Sequence, residues 1–200
     1  DGSSSYKIVK KAEDTKKDDT TAVQAKDQTI TATASYKKSE TSKAFKLNAK
    51  TNGNGKLTYT TSNKSVATVD ANGKVTVKAP GVATITVKAA ATTDYKAASK
   101  TVTVTVSPKK QSISLVNKIK KQLTIKWKKN TKASGYQVVY STNKKFTGKK
   151  TVRKAKTTTS YKVKGLKKGK TYYAKVRSYK TVNGKRIYGA YSTAKKATIK

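Results

Sequence analysis

From Gln28 onward, apolar and hydroxyl-bearing residues alternate along the chain with the period of two that marks half-buried strands. No stretch places three or four apolar residues at the 3.6-residue spacing of a helix. In the first half the alternation predicts strands over residues 29–34, 45–49, 57–62, 67–70, 74–78, 83–89 and 100–106. In the second half it predicts strands over residues 123–128, 136–141, 151–154, 160–166, 171–182 and 190–199. Asn72-Gly73, between Val69 and Val75, offers two residues that tolerate positive φ and predicts a tight hairpin. Pro80-Gly81 and Asn52-Gly53-Asn54-Gly55 punctuate the neighbouring turns. Leu123, Ile125 and Trp127 fall on one face of their strand, and Tyr136, Val138 and Tyr140 on one face of the next, so the two can share a core. The fold class is therefore all-β, with two tandem sandwiches at 28–107 and 111–200 separated by the short linker Ser107-Pro108-Lys109-Lys110.

Residues 1–27 break this pattern. Gly2-Ser3-Ser4-Ser5 and the mixed-charge run from Lys10 to Asp19 carry too few apolar side chains to offset the entropy of ordering, so a flexible linker or tail is expected. Within it only Tyr6, Ile8 and Val9 alternate as a short strand would. The chain begins at Asp1 without Met or an apolar leader, which suggests a mature or trimmed product of a longer precursor. No apolar run is long enough for a helical membrane span, and membrane insertion is not expected.

Four segments of the first half follow one family's signature in order: Leu57-Thr58-Tyr59-Thr60-Thr61-Ser62-Asn63, Ser65-Val66-Ala67-Thr68-Val69-Asp70, Asn72-Gly73-Lys74-Val75-Thr76 and Gly81-Val82-Ala83-Thr84-Ile85-Thr86-Val87. They resemble the bacterial immunoglobulin-like group 2 domain. That resemblance implies an immunoglobulin-like sandwich from surface and secreted bacterial proteins, a spacer or an adhesive tip, with no catalytic residues to carry over. In the second half, Leu123-Thr124-Ile125-Lys126-Trp127, Gly135-Tyr136-Gln137-Val138-Val139-Tyr140 and Gly165-Leu166-Lys167-Lys168-Gly169-Lys170-Thr171-Tyr172 resemble a fibronectin type III domain. The resemblance implies that Trp127 and Tyr136 are structural, that Leu166 is a core plug, and that Tyr172 is the tyrosine-corner residue. Lys168 stands where that family usually has Pro, at some cost in turn rigidity. The tandem resembles the repeat arrays of secreted proteins from Gram-positive gut anaerobes, which implies an extracellular location, secreted or attached to the cell surface.

Charge narrows the function classes. The net charge is +38, yet residues 1–27 balance six Lys against six acids, residues 28–110 carry +11, and residues 111–200 carry 24 Lys and three Arg with no acid at all. A segment without a carboxylate offers no paired acids, no Asp-oriented base and no carboxylate metal site. The chain also lacks Cys and His, which removes thiolate nucleophiles, Cys-ligated zinc and the commonest general base. Neither Asp70 nor Asp94 can build a calcium site unaided. No enzyme activity, metal or cofactor is expected. Glycine-rich phosphate loops and ordered nucleic-acid motifs are also missing, so nucleic acid is expected to bind only non-specifically, by counterion release.

Two exposed surfaces are candidates for binding. On the strand over 171–182, the inward set Tyr172, Ala174 and Val176 leaves Tyr173, Lys175, Arg177 and Tyr179 pointing outward. Such a strip can stack on sugar rings or bases while its cations meet sulfate, carboxylate or phosphate, although a plain solvated sheet face shows the same pattern. Tyr188 and Tyr191 extend the strip if the last two strands pair, and the loop Val182-Asn183-Gly184-Lys185-Arg186 adds Lys185 and Arg186. On the opposite sheet, Lys126 and Lys128 alternate outward on one strand and Lys162 and Lys164 on a neighbour. These are expected to face each other across the ladder, as a platform for polyanions or as a guard against edge-to-edge aggregation. Either way, added salt is expected to stabilise the second sandwich.

Because 44 of the 47 basic residues are Lys, diffuse attraction is favoured over a shaped anion pocket. The partners expected of a monomer of this kind are anionic glycans or cell-wall teichoic acids. A host surface protein is the alternative, engaged as a receptor ligand without an Arg-Gly-Asp tripeptide, and a passive spacer for another domain is a further one.

Overall fold

The computed structural model describes residues 24–200, and every regular element within them is a strand. The expected short strand around Tyr6, Ile8 and Val9 lies outside the described residues. In the first sandwich, β1 (Ile30–Thr31), β2 (Ser35–Ser39), β3 (Phe45–Lys46), β4 (Lys50–Thr51), β5 (Leu57–Thr61), β6 (Ala67–Val69), β7 (Lys74–Val77), β8 (Gly81–Ala89) and β9 (Ala98–Ser107) follow in order. They form a four-stranded sheet β2-β9-β8-β5, a three-stranded sheet β3-β7-β6 and the small pair β1-β4. Ile85, Val87, Val102, Val104 and Val106 are fully buried, because alternation on the long β8–β9 pair turns one complete face inward, and Val75 of β7 is fully buried in the same core. The sandwich engages the chain before its predicted start: the Lys26 N–H donates to the Asp94 carbonyl at 2.8 Å, and Lys96 pairs with Asp27 at 3.2 Å.

The second sandwich contains β10 (Ile113–Val116), β11 (Leu123–Trp127), β12 (Gly135–Ser141), β13 (Lys150–Ala155), β14 (Ser160–Val163), β15 (Thr171–Val182), β16 (Lys185–Tyr188) and β17 (Lys195–Thr198). One sheet is β10-β11-β14; the other is β13-β12-β15-β16, with β17 also on β15. Trp127, Tyr136, Val138, Leu166 and Val176 meet in the core, Trp127 and Tyr136 with ring centroids 5.3 Å apart. The Tyr136 hydroxyl accepts the Asn130 N–H at 2.7 Å, while Tyr172 reaches the Lys167 N–H at 3.5 Å.

Several elements depart from the sequence pattern for identifiable reasons. The strand expected over 29–34 shrinks to β1, and β2, which lacks an apolar run, forms where none was expected because its backbone pairs parallel with β9. The turn between Val69 and Val75 uses positive φ only at Gly73, not at Asn72. Asp70 holds it instead: its Oδ1 accepts the Asn72 and Lys74 N–H groups at 2.9 Å each, and the Lys74 bond is the main reason its pKa lies below the ordinary value. The strand expected over 160–166 stops at Val163, with Gly165 at φ 69°. The last edge is split. β16 pairs one end of β15 and β17 the other, and between them Gly189 and Ser192 donate to Ser178 and Val176.

The two sandwiches meet through a defined joint. Pro108 is buried, and a side chain at Gly189 would come within 2.5 Å of its carbonyl. Glu40 of the first sandwich accepts two hydrogen bonds on Oε1, from the Lys109 N–H at 2.8 Å and the Asn130 Nδ2 at 2.7 Å. Lys132 Nζ donates to the Lys78 carbonyl at 2.8 Å, which ties the second sandwich back to the first.

Candidate functional site

The outer face of the β12–β15–β16 sheet is built by alternation on β15, which turns Tyr173, Lys175, Arg177 and Tyr179 away from the core. This face is not an open platform. On β12 the outward residues Gln137, Val139 and Ser141 are buried, Val139 completely. On the same face lies a stack of alternating rings and cations. The Lys175 ammonium lies 4.1 Å from the Phe146 ring centroid and 4.5 Å from that of Tyr191. The Arg177 guanidinium is held between Tyr191 at 4.4 Å and Tyr188 at 3.9 Å. Tyr188 meets Tyr179 edge-on at 5.7 Å, and Arg186 lies 5.3 Å from Tyr179.

Hydrogen bonds fix the middle of the stack. Arg177 Nε donates to Gln137 Oε1 at 2.6 Å and the Tyr191 hydroxyl donates to the same oxygen at 2.9 Å. Burial holds the Lys175 ammonium below the usual lysine pKa, with the charges of Lys149 and Arg177 adding to the effect. Burial raises the Tyr191 phenol, against a lowering contribution from Arg177. The strip expected to offer its rings to a ligand therefore spends most of them on its own cations. Tyr173 is the exception: among the described residues it makes no ring–ring or ring–cation contact.

Lys185 and Arg186 are exposed, but as strand residues of β16 and not in a five-residue loop. The turn consists of Asn183 and Gly184, at φ 48° and 75°, which lets Val182 pair with Lys185. On the opposite sheet Lys126, Lys128, Lys162 and Lys164 are exposed, and β11 does pair with β14. The expected head-on charges do not occur. Lys126 lies opposite Ser160 and Lys162 opposite Thr124, so these two lysines each face a hydroxyl and are offset diagonally, while Lys128 and Lys164 lie beyond the paired residues. The strip and this platform lie on different sheets and do not form one site.

Phe146 and Gln137 were not identifiable as parts of the stack from sequence. Phe146 sits in a turn at φ 60°, unusual for a bulky side chain, and its only signal was an apolar ring in an otherwise polar loop. Among the described residues no group of three or more possible metal ligands exists, and no helix is long and apolar enough to cross a membrane.

Comparison with known proteins finds a similarity in each half. Residues 40–92 match the family model described as intimin, immunoglobulin-like domain, and residues 106–193 match the fibronectin type III domain. A Kelch domain-containing protein of Sulfurisphaera tokodaii is 35% identical over 85 residues, which is 42% of this chain and 11% of that protein, so the chain spans about a tenth of that relative's length. Among solved structures, the FN1-FN3 domains of chicken CNTN1 align over 73% of this chain and 57% of theirs, at 17% identity and a TM-score of 0.41. The fn3 domain of human contactin 1 aligns over 47% of this chain and 80% of its own, at 15% identity and a TM-score of 0.40. Domains of these two types are typically non-catalytic binding or scaffold modules and are common in extracellular proteins. Residues 40–92 are thus similar to an immunoglobulin-like domain of the intimin type, and residues 106–193 to a fibronectin type III domain.

Proposed function

We propose that this chain is a non-enzymatic, extracellular binding module that attaches to anionic glycans or cell-wall polymers through its basic sheet faces. The observation that carries this reading is the uncompensated charge of residues 111–200, where 27 cations meet no acid within the segment. The one carboxylate given to it from the first domain, Glu40, is used at the joint by a backbone N–H and an Asn amide, not by a lysine ammonium. Cations without internal partners attract polyanions over long range and bind them by releasing counterions. The resemblance of residues 57–87 to the bacterial immunoglobulin-like group 2 domain, where the family model that matches is the intimin immunoglobulin-like domain, is what suggests placing such a module on or outside a bacterial cell.

The test is binding of the full chain to immobilised sulfated and sialylated glycans, teichoic acid, a neutral glycan and host surface proteins, at low and physiological salt. Saturable binding confined to the polyanions, with log affinity falling linearly against log salt, supports the reading. Salt-independent binding to the neutral glycan, or a single salt-resistant protein partner, overturns it.

A further inference from the structure

We propose that Tyr173, Lys144 and Lys196 form a subsite for one acidic pyranose ring, its charge a carboxylate or a sulfate; this deepens the polyanion reading above and rests on it. The three residues arrive from separate elements. Tyr173 is on β15, where it lies opposite Lys196 on β17 on one side and Ser141 on β12 on the other. Lys144 comes from the turn that follows β12. With Ala194 they line a cleft of about 270 Å³. Pockets that swallow drug-sized ligands start at about 300 Å³, so this cleft suits a single ring rather than a long chain segment.

The chemistry follows from what each side chain has left to give. Lys175, Arg177 and Tyr179 on the same strand are all engaged in the ring–cation stack, whereas the half-buried Tyr173 ring has neither a cation nor another ring on it among the described residues. A ring face of this kind covers the C–H face of a sugar, an amphipathic partner with one apolar side. Lys144 and Lys196 are exposed, and among the described residues neither meets a carboxylate. Both are point charges on flexible stems, which hold carboxylate or sulfate without demanding the planar match that Arg would impose. A linear polyphosphate supplies the charge but no flat apolar face for Tyr173, and a neutral sugar supplies the face but leaves both ammoniums unmatched.

The experiment is calorimetric titration of the full chain with four probes: a glucuronate-bearing tetrasaccharide, a sulfated uronate-free tetrasaccharide, a neutral tetrasaccharide and linear polyphosphate. Each is titrated into wild type, Tyr173→Ala, Tyr173→Phe and the double variant Lys144→Ala/Lys196→Ala. Tyr173→Ala is expected to weaken the acidic tetrasaccharides about tenfold, as loss of one stacked ring does, and to leave polyphosphate unchanged. Tyr173→Phe keeps the ring and is expected to bind as wild type, and the double lysine variant to lose the preference for acidic over neutral sugar. The two acidic probes separate carboxylate from sulfate. The proposal is overturned if Tyr173→Ala leaves the acidic tetrasaccharides unaffected, if it weakens polyphosphate to the same degree, or if neutral and acidic sugars bind equally to wild type. Salt-dependent polyphosphate binding without any tetrasaccharide binding sinks the subsite alone, whereas no binding to any probe sinks the polyanion reading with it.

Discussion

Arg177 is one of three arginines among 47 basic residues, and its surroundings explain why lysine does not substitute there. Its planar guanidinium lies between Tyr188 and Tyr191 while Nε reaches Gln137, a set of contacts that a tetrahedral ammonium cannot reproduce. Arg177→Lys is expected to lower the stability of the second sandwich by about 1–2 kcal/mol. Trp127, the only tryptophan in the chain, lies in that core and reports its thermal unfolding by fluorescence. An unchanged midpoint means that the stack forms without the guanidinium. At this scale the sequence was half legible: alternation identified the outward residues of β15, but not what they turn toward. Gln137 and Val139 have the same period-two signature as solvent-facing residues yet are buried, and only the tertiary arrangement brings Tyr191 and Arg177 onto Gln137.

Among elements, legibility tracked the density of branched apolar residues. β8, β9 and β15 were clear because long alternation buries one whole face, an arrangement that local pattern encodes directly. β2 carries Ser35-Tyr36-Lys37-Lys38-Ser39 and becomes a strand through parallel pairing to β9, more than 60 residues later in sequence, so nothing local announces it. The β11–β14 pair shows how a lysine-covered sheet avoids repelling itself. Lys126 is set against Ser160 and Lys162 against Thr124, which shifts these two cations to the longer diagonal. Ser160→Lys puts a second ammonium directly opposite Lys126 and is expected to cost about 0.2–1 kcal/mol. The loss should shrink as salt is added. A salt-independent loss, read from the Trp127 midpoint, would assign the effect to the missing hydroxyl rather than to charge.

For the whole molecule, Glu40 has the widest reach. Charge excess in the second domain was readable from composition, but the use of a single acid from the first domain to fasten the joint was not, because it depends on the fold bringing Lys109 and Asn130 to one oxygen. Glu40→Ala is expected to leave both sandwiches folded and to loosen their mutual angle. Residual dipolar couplings fitted with one alignment tensor for the full chain should then require two, and a variant that still fits one tensor shows that Pro108 and Gly189 packing suffice. The joint also bears on how the two domains can be treated as parts. The second domain makes no acid of its own and borrows one from its neighbour, so the pair is not two interchangeable beads on a string. Moved next to a different partner, the second sandwich would keep its core and lose the acceptor for the Lys109 amide of the linker and for Asn130; portability ends at the residue that the preceding domain lends it.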